Sequence, residues 1–211
     1  MDTEFYLAQP KSRSGKGVLV IHAWWGLNQF FKDLCDRLAG EGFFALAPDL
    51  YHGKTASTIE EAKKLRSSLK QDVVARQITS AAEQLHNVCC LAGQGIGVVG
   101  FSLGGYWGLW LAEEKANLVT ATVAFYVTRN GDYSNSQSAF QFHLAEKDEY
   151  VSTSGVKKLQ KSLTSVDKVS AFYTYPGTGH WFFESDRTDA YNPEAARIAW
   201  NRTIEFLKMY A

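Results

Sequence analysis

Cysteine is scarce in this sequence: the chain has three, Cys35, Cys89 and Cys90. Their spacing fits neither a disulfide framework nor a zinc pattern, and the adjacency of Cys89 and Cys90 disfavours a bond between them. They are expected to be reduced structural thiols. Histidines paired at helical metal-ligand spacing are lacking too, so no metal site is expected. Neither charge is in excess: 22 basic and 22 acidic side chains give a formal net charge of zero, which offers no field to nucleic acid or to an anionic membrane. The longest greasy stretch, Val18 to Trp25, falls far short of the roughly 20 apolar residues a bilayer span needs. Met1-Asp2-Thr3-Glu4 lacks the basic start and apolar core of a signal peptide. The expectation is a cytoplasmic protein whose 211 residues form one domain, 1–211.

What the chain does have is alternation. Glu4 to Pro10 reads as an edge strand, and the almost continuously apolar Val18-Leu19-Val20-Ile21-His22-Ala23 as a strand covered on both faces. Asn28 can cap a helix through about Ala39, and Phe43 to Pro48 is the next strand. Two apolar stripes follow, from Ile59 to Val73 and from Ile78 to Val88, giving two helices or one bent one. Ile96 to Gly100 is a strand, Leu103 to about Lys115 a helix, Thr120 to Val127 a strand, and Arg129 to Ser138 a polar, loose loop. Phe140 to Glu146 and Val169 to Tyr175 are strands around a helix capped by Ser152, and a last helix runs from Pro193 to about Met209. Strands alternating with helices imply a mostly parallel central sheet covered on both faces, with ligands beyond the carboxyl ends of the strands.

One junction carries chemistry. The strand ending at Gly100 runs into Phe101-Ser102-Leu103-Gly104-Gly105 and then a helix, the strand–turn–helix setting of the α/β-hydrolase nucleophile elbow. Glycines two before and two after Ser102 remove Cβ atoms that would clash in so sharp a turn. The overlapping Gly95-Ile96-Gly97-Val98-Val99-Gly100 spells a dinucleotide fingerprint, but it lies before and along a strand where that fingerprint must follow one. Serine needs a base, and the base needs an acid to hold its tautomer. Downstream of Ser102 lie His143, inside a strand, and His180, in the glycine-flanked loop after the last strand; His180 is the candidate base. Asp148, just past a strand end, is the favoured acid, with Asp132 in reserve. The backbone N–H of Leu103 can meet a developing oxyanion, and the second donor should come from the loop after the first central strand, where Trp24 is the candidate. His22 either buttresses that loop or is a packed, hydrogen-bonded core histidine, the commoner case.

With those residues in place, the chain closely resembles the dienelactone hydrolase family. The match spans Trp25-Gly26-Leu27-Asn28, Ala47-Pro48-Asp49-Leu50-Tyr51, the elbow, Leu144-Ala145-Glu146-Lys147-Asp148, Gly179-His180-Trp181-Phe182 and Ala199 to Leu207. The resemblance implies an α/β-hydrolase fold without a separate lid domain, no cofactor, and a triad of Ser102, Asp148 and His180, which selects Asp148 over Asp132. Three departures stand out. The family's usual nucleophile is cysteine, the glutamate that holds the resting thiol is matched by Ala23, and an arginine that grips a substrate carboxylate shortly after the histidine is replaced by Glu184.

The resulting expectation is a serine hydrolase cleaving small, largely uncharged esters or lactones through an acyl-enzyme on Ser102. Thioesters and short peptides suit the same machinery, and a non-catalytic, ligand- or partner-binding hydrolase-like protein is the other class of reading. Aromatics near the strand ends are candidates for the pocket: Trp25, Tyr51, Tyr106, Tyr126, Trp181 and Phe182, with Trp24, Trp107 and Tyr150 close by. About half of these nine are expected to be plain core, Trp107 especially.

Overall fold

The computed structural model describes residues 4–89 and 94–211. Met1, Asp2, Thr3 and Cys90 lie outside the described residues. In chain order the elements are β1 (Phe5–Ala8), β2 (Gly17–Ile21), α1 (Gln29–Gly40), β3 (Phe44–Pro48), α2 (Ile59–Ser68), α3 (Gln71–Cys89) and β4 (Ile96–Phe101). They continue with α4 (Leu103–Glu114), β5 (Val119–Phe125), β6 (Ala139–Lys147), α5 (Thr153–Thr164), β7 (Ser170–Gly179) and α6 (Pro193–Tyr210). The strands of the described residues form one sheet in the order β1-β3-β2-β4-β5-β6-β7. β1 is an antiparallel edge strand on β3, and every other pairing is parallel. This is the α/β-hydrolase fold, and the described residues form no separate lid domain.

The sheet is apolar on both faces because each face has helices. One core packs Phe31, Leu34 and Leu38 of α1 and Ala199, Ile204 and Leu207 of α6 against it. The other packs Val74, Ile78 and Leu85 of α3, Leu109 and Leu111 of α4, and Leu159 and Leu163 of α5. β2, β3 and β4 are buried at every position, which is why their sequences read as unbroken apolar runs. Asn28 and Ser152 cap α1 and α5 as expected, each side chain accepting a backbone N–H of the first turn.

The connection after β3 is two helices. Thr58 and Glu61 close a capping box at the start of α2, which ends at Ser68, and α3 begins at Gln71. β7 runs four residues beyond Tyr175 to Gly179, absorbing a register shift against β6 and a positive φ of 71° at Gly177. The 129–138 loop, expected to be loose, is tied down. Tyr133 is fully buried, Arg129 pairs with Glu113, and the Ser162 hydroxyl donates to the Gly131 carbonyl. Cys35 is buried, which pushes its thiol up to about 12, and the Cys89 thiol donates to the Leu85 carbonyl. Among the described residues no helix is long and apolar enough to cross a membrane.

Candidate active site

The strand order puts β4 at the centre of the sheet, and its carboxyl end delivers Ser102. Ser102 has φ 50° and ψ −108°, a left-handed conformation that a serine adopts only where its surroundings enforce it, at a cost of about 1–3 kcal/mol. Enforcement comes from the Ser102 N–H, which donates to the Phe125 carbonyl of β5 at 3.0 Å, and from the close passage of the chain on itself. A Cβ on Gly100 would lie 2.4 Å from the Gly104 carbonyl oxygen. The flanking glycines are therefore required by contact, as the motif predicts.

Asp148 leaves the end of β6 in a tight turn whose backbone N–H groups, from Tyr150 at 2.8 Å and Val151 at 3.0 Å, donate to its Oδ1. The carboxylate thus held faces His180 Nδ1 at 2.9 Å through Oδ1 and 2.8 Å through Oδ2. His180, just past β7, places Nε2 3.0 Å from Ser102 Oγ. With Asp148 on Nδ1, the hydrogen-bond network assigns that nitrogen the proton, leaving the Nε2 lone pair to accept from the serine hydroxyl. The three residues singled out in the sequence are brought together in one chain of hydrogen bonds. Asp132 is not part of it: its carboxylate accepts the Ser134 N–H at an exposed turn.

The other histidines near the sheet edge are structural. His143, on β6, is fully buried, with Nδ1 on the Tyr175 hydroxyl and Nε2 beside Gln141 and Thr203, and burial pushes its pKa down to about 3. His22 Nδ1 bonds the Ala23 carbonyl at 2.6 Å while Nε2 accepts the Leu50 N–H at 3.2 Å. It is packed and hydrogen-bonded, and in that position it also ties the Trp24 loop to the loop after β3.

Ser102 and His180 open into a cavity of about 750 Å³ that also contains Leu103 and Trp24, the two candidate oxyanion donors. Of the six aromatics put forward for this pocket, only Tyr106 lines it. Trp25, Tyr51, Tyr126, Trp181 and Phe182 are buried in the framework behind it. Tyr126 and Trp181 have positive φ values of 39° and 67°. Trp181 stacks on Trp24 at 5.9 Å, and so backs the wall without forming it. Trp107, expected to be core, is 8% exposed and also lines the cavity, as does the more open Tyr150.

The far wall was not visible in the sequence. Lys63, Arg66 and Ser67 of α2, with Leu69 and Gln71 beyond it, complete the cavity. Their only local signature is the polar face of an amphipathic helix, which reads as solvated surface. Only Ala62 of α2 is buried, so the helix leaves its charged side free to border the cavity. Glu184, in contrast, is fully buried and is not among the residues that line the cavity.

A model of the dienelactone hydrolase family matches residues 3–211. The chain belongs to that family. It is 36% identical to the protein usf of Aquifex pyrophilus, over 97% of this chain and 92% of that one. It is 32% identical to an Aquifex aeolicus protein provisionally named a carboxymethylenebutenolidase, with the same two coverages. A crystal structure from Klebsiella pneumoniae, provisionally named a dienelactone hydrolase, superposes with a TM-score of 0.86 at 23% identity, covering all of this chain and 94% of its own. This family member is a hydrolase acting on ester or lactone bonds.

Proposed function

We propose that the protein cleaves small carboxylic esters and lactones through an acyl-enzyme on Ser102. The observation that carries this reading is the unbroken chain from Ser102 Oγ through His180 to the Asp148 carboxylate, with spacings of 3.0 and 2.8 Å. His180 takes the serine proton as Oγ attacks the carbonyl, and Asp148 holds the imidazole tautomer and stabilises the imidazolium that forms. The Leu103 and Trp24 N–H groups meet the oxyanion, each such donor being worth about 3–4 kcal/mol. His180 then protonates the leaving alkoxide and activates the water that releases the acid. For a lactone, the leaving group remains in the same product molecule. No metal or organic cofactor enters these steps.

The substrate class changes with the cavity. Trp24, Tyr106, Trp107 and Tyr150 suit an apolar or aromatic group beside the scissile carbonyl. Lys63 and Arg66 face the same space, so a carboxylate on the far end of the substrate meets favourable charge. The expectation of a largely uncharged substrate rested on an aromatic rim and on Glu184, and neither describes the α2 wall. We therefore extend the range to small esters and lactones bearing a remote anionic group.

The test is a nitrophenyl ester and lactone panel together with an organophosphonate probe. Turnover and stoichiometric labelling of Ser102 are expected, both abolished in Ser102→Ala with thermal stability nearly unchanged. A folded wild-type protein that neither turns over the panel nor takes the label would instead be a hydrolase-like binding protein.

A further inference from the structure

Glu184 sits four residues after His180, is fully buried, and has no role in the steps above. A carboxyl in such a place carries a desolvation cost that an apolar side chain of similar volume would avoid. Its surroundings indicate what it does there. Glu184 Oε1 accepts the Tyr126 hydroxyl at 2.5 Å, and the Glu184 N–H and carbonyl are both engaged in the turns that fold the loop, to the Trp181 carbonyl and from the Arg187 N–H.

Tyr126 follows directly on Phe125, the residue whose carbonyl fixes the Ser102 N–H, and its own N–H donates to the His143 carbonyl at 2.7 Å. Its ring, fully buried, lies 4.7 Å from the His180 ring. The imidazole also packs against Tyr150 and Trp181, at 4.8 and 5.0 Å, but Tyr150 is 47% exposed, while Tyr126 is fully buried and its hydroxyl is held by Glu184. Tyr126 is therefore a fixed support for the ring. One hydrogen bond therefore joins the strand end that holds the nucleophile to the loop that holds the base.

We propose that Tyr126 and Glu184 form a buried clasp that positions His180 against Ser102, Glu184 acting through the tyrosine as a positioning residue. The proposal rests on the reading of Ser102, His180 and Asp148 as the catalytic relay. His180 must keep Nδ1 on Asp148 while Nε2 faces Ser102. A tilt of the ring breaks one bond or the other, and misplacement by about 1 Å can lower a rate by about a hundredfold. His180 faces the clasp directly, its ring against Tyr126. Asp186 and Arg187 come from Glu184's own loop, with Arg187 stacked 4.2 Å over Trp25, and Asp148 acts on Tyr126 from the turn after β6. Burial raises Glu184 to about 8, with Asp186 adding to the effect, while the Tyr126 hydrogen bond and Arg187 oppose it. Near neutral pH the clasp is therefore mainly a phenol on a protonated carboxyl.

The experiment compares Tyr126→Phe, Glu184→Leu and Glu184→Gln in the full chain, with Ser102→Ala as control. In Tyr126→Phe and Glu184→Leu, kcat for a nitrophenyl ester should fall about tenfold or more with KM within about twofold, and the downfield Nδ1–H proton resonance of His180 should shift or broaden. Glu184→Gln keeps an acceptor for the phenol and should recover most of the lost rate. It should also remove an inflection near pH 8 from the wild-type kcat profile. Unchanged kcat and resonance in Tyr126→Phe overturn the clasp. If Glu184→Leu does not fold, the decision passes to Tyr126→Phe and Glu184→Gln, and a Glu184→Gln profile that coincides with wild type overturns it as well. Full activity in Ser102→Ala would instead remove the relay itself, which separates the two failures.

Discussion

Gly104 lies so close to Ile21 that a Cβ built on it would come within 2.0 Å of the Ile21 carbonyl oxygen. The first turn of α4 is thereby pressed onto the end of β2, beside the loop that carries Trp24. That approach brings the Leu103 and Trp24 backbones to one cavity.

Gly104→Ala should destabilise the fold by more than about 2 kcal/mol, because the new carbon meets backbone that cannot move without opening the sheet. Gly40→Ala, at the end of α1 where a Cβ meets nothing within 4 Å, should be neutral or stabilising by up to about 1 kcal/mol. Denaturant midpoints of the two variants check the contrast, and equal losses would mean that the close approach is not what selects glycine at 104.

Asp148→Asn should lower kcat by about four orders of magnitude, since an amide no longer holds the His180 tautomer that leaves Nε2 free to accept. Binding of a non-hydrolysable ester analogue should be little affected. Retention of more than about a tenth of the wild-type rate would return the acid's role to another group.

The charge of the α2 wall makes its own prediction. In Lys63→Gln/Arg66→Gln, KM for an ester with a remote carboxylate should rise about three- to tenfold, while that of its neutral isostere should change by less than about twofold. Added salt should shrink the wild-type preference in the same direction. Parallel changes for both substrates would mean that the cations lie beyond the bound ester.

Glu184 links stability to pH. Its folded pKa, about 8, lies above that of an unfolded glutamate, so the stability it supports is complete below about pH 4.5 and is lost as pH rises through about 8. Across that window the wild type should lose stability relative to Glu184→Gln at up to about 1.4 kcal/mol per pH unit. His143, held neutral by a pKa lowered to about 3, acts in the opposite sense on acidification but is common to both proteins and cancels. Chemical denaturation at several pH values reads the difference, and parallel stability curves would show that Glu184 is not buried as a protonated acid.

Much of this protein is written locally in its chain. The glycines around Ser102, the apolar strand before it and the helix after it are short-range requirements of one turn, and the order of Ser102, Asp148 and His180 follows from β4, β6 and β7 ending at one sheet edge. Continuous burial on both faces made β2, β3 and β4 readable as strands. The tertiary structure alone decided which aromatics meet the substrate. Trp25, Tyr126 and Phe182 sit beside the site in sequence yet point behind it, because backbone direction at a loop residue depends on what packs above and below. It also decided that Lys63 and Arg66 face the cavity, since a helix's polar side looks the same whether it borders solvent or a pocket completed by residues far away in the chain. Glu184 is the plainest case. In the chain it is an acidic residue after Trp181-Phe182-Phe183, and only the packing of that segment makes it a buried partner of Tyr126.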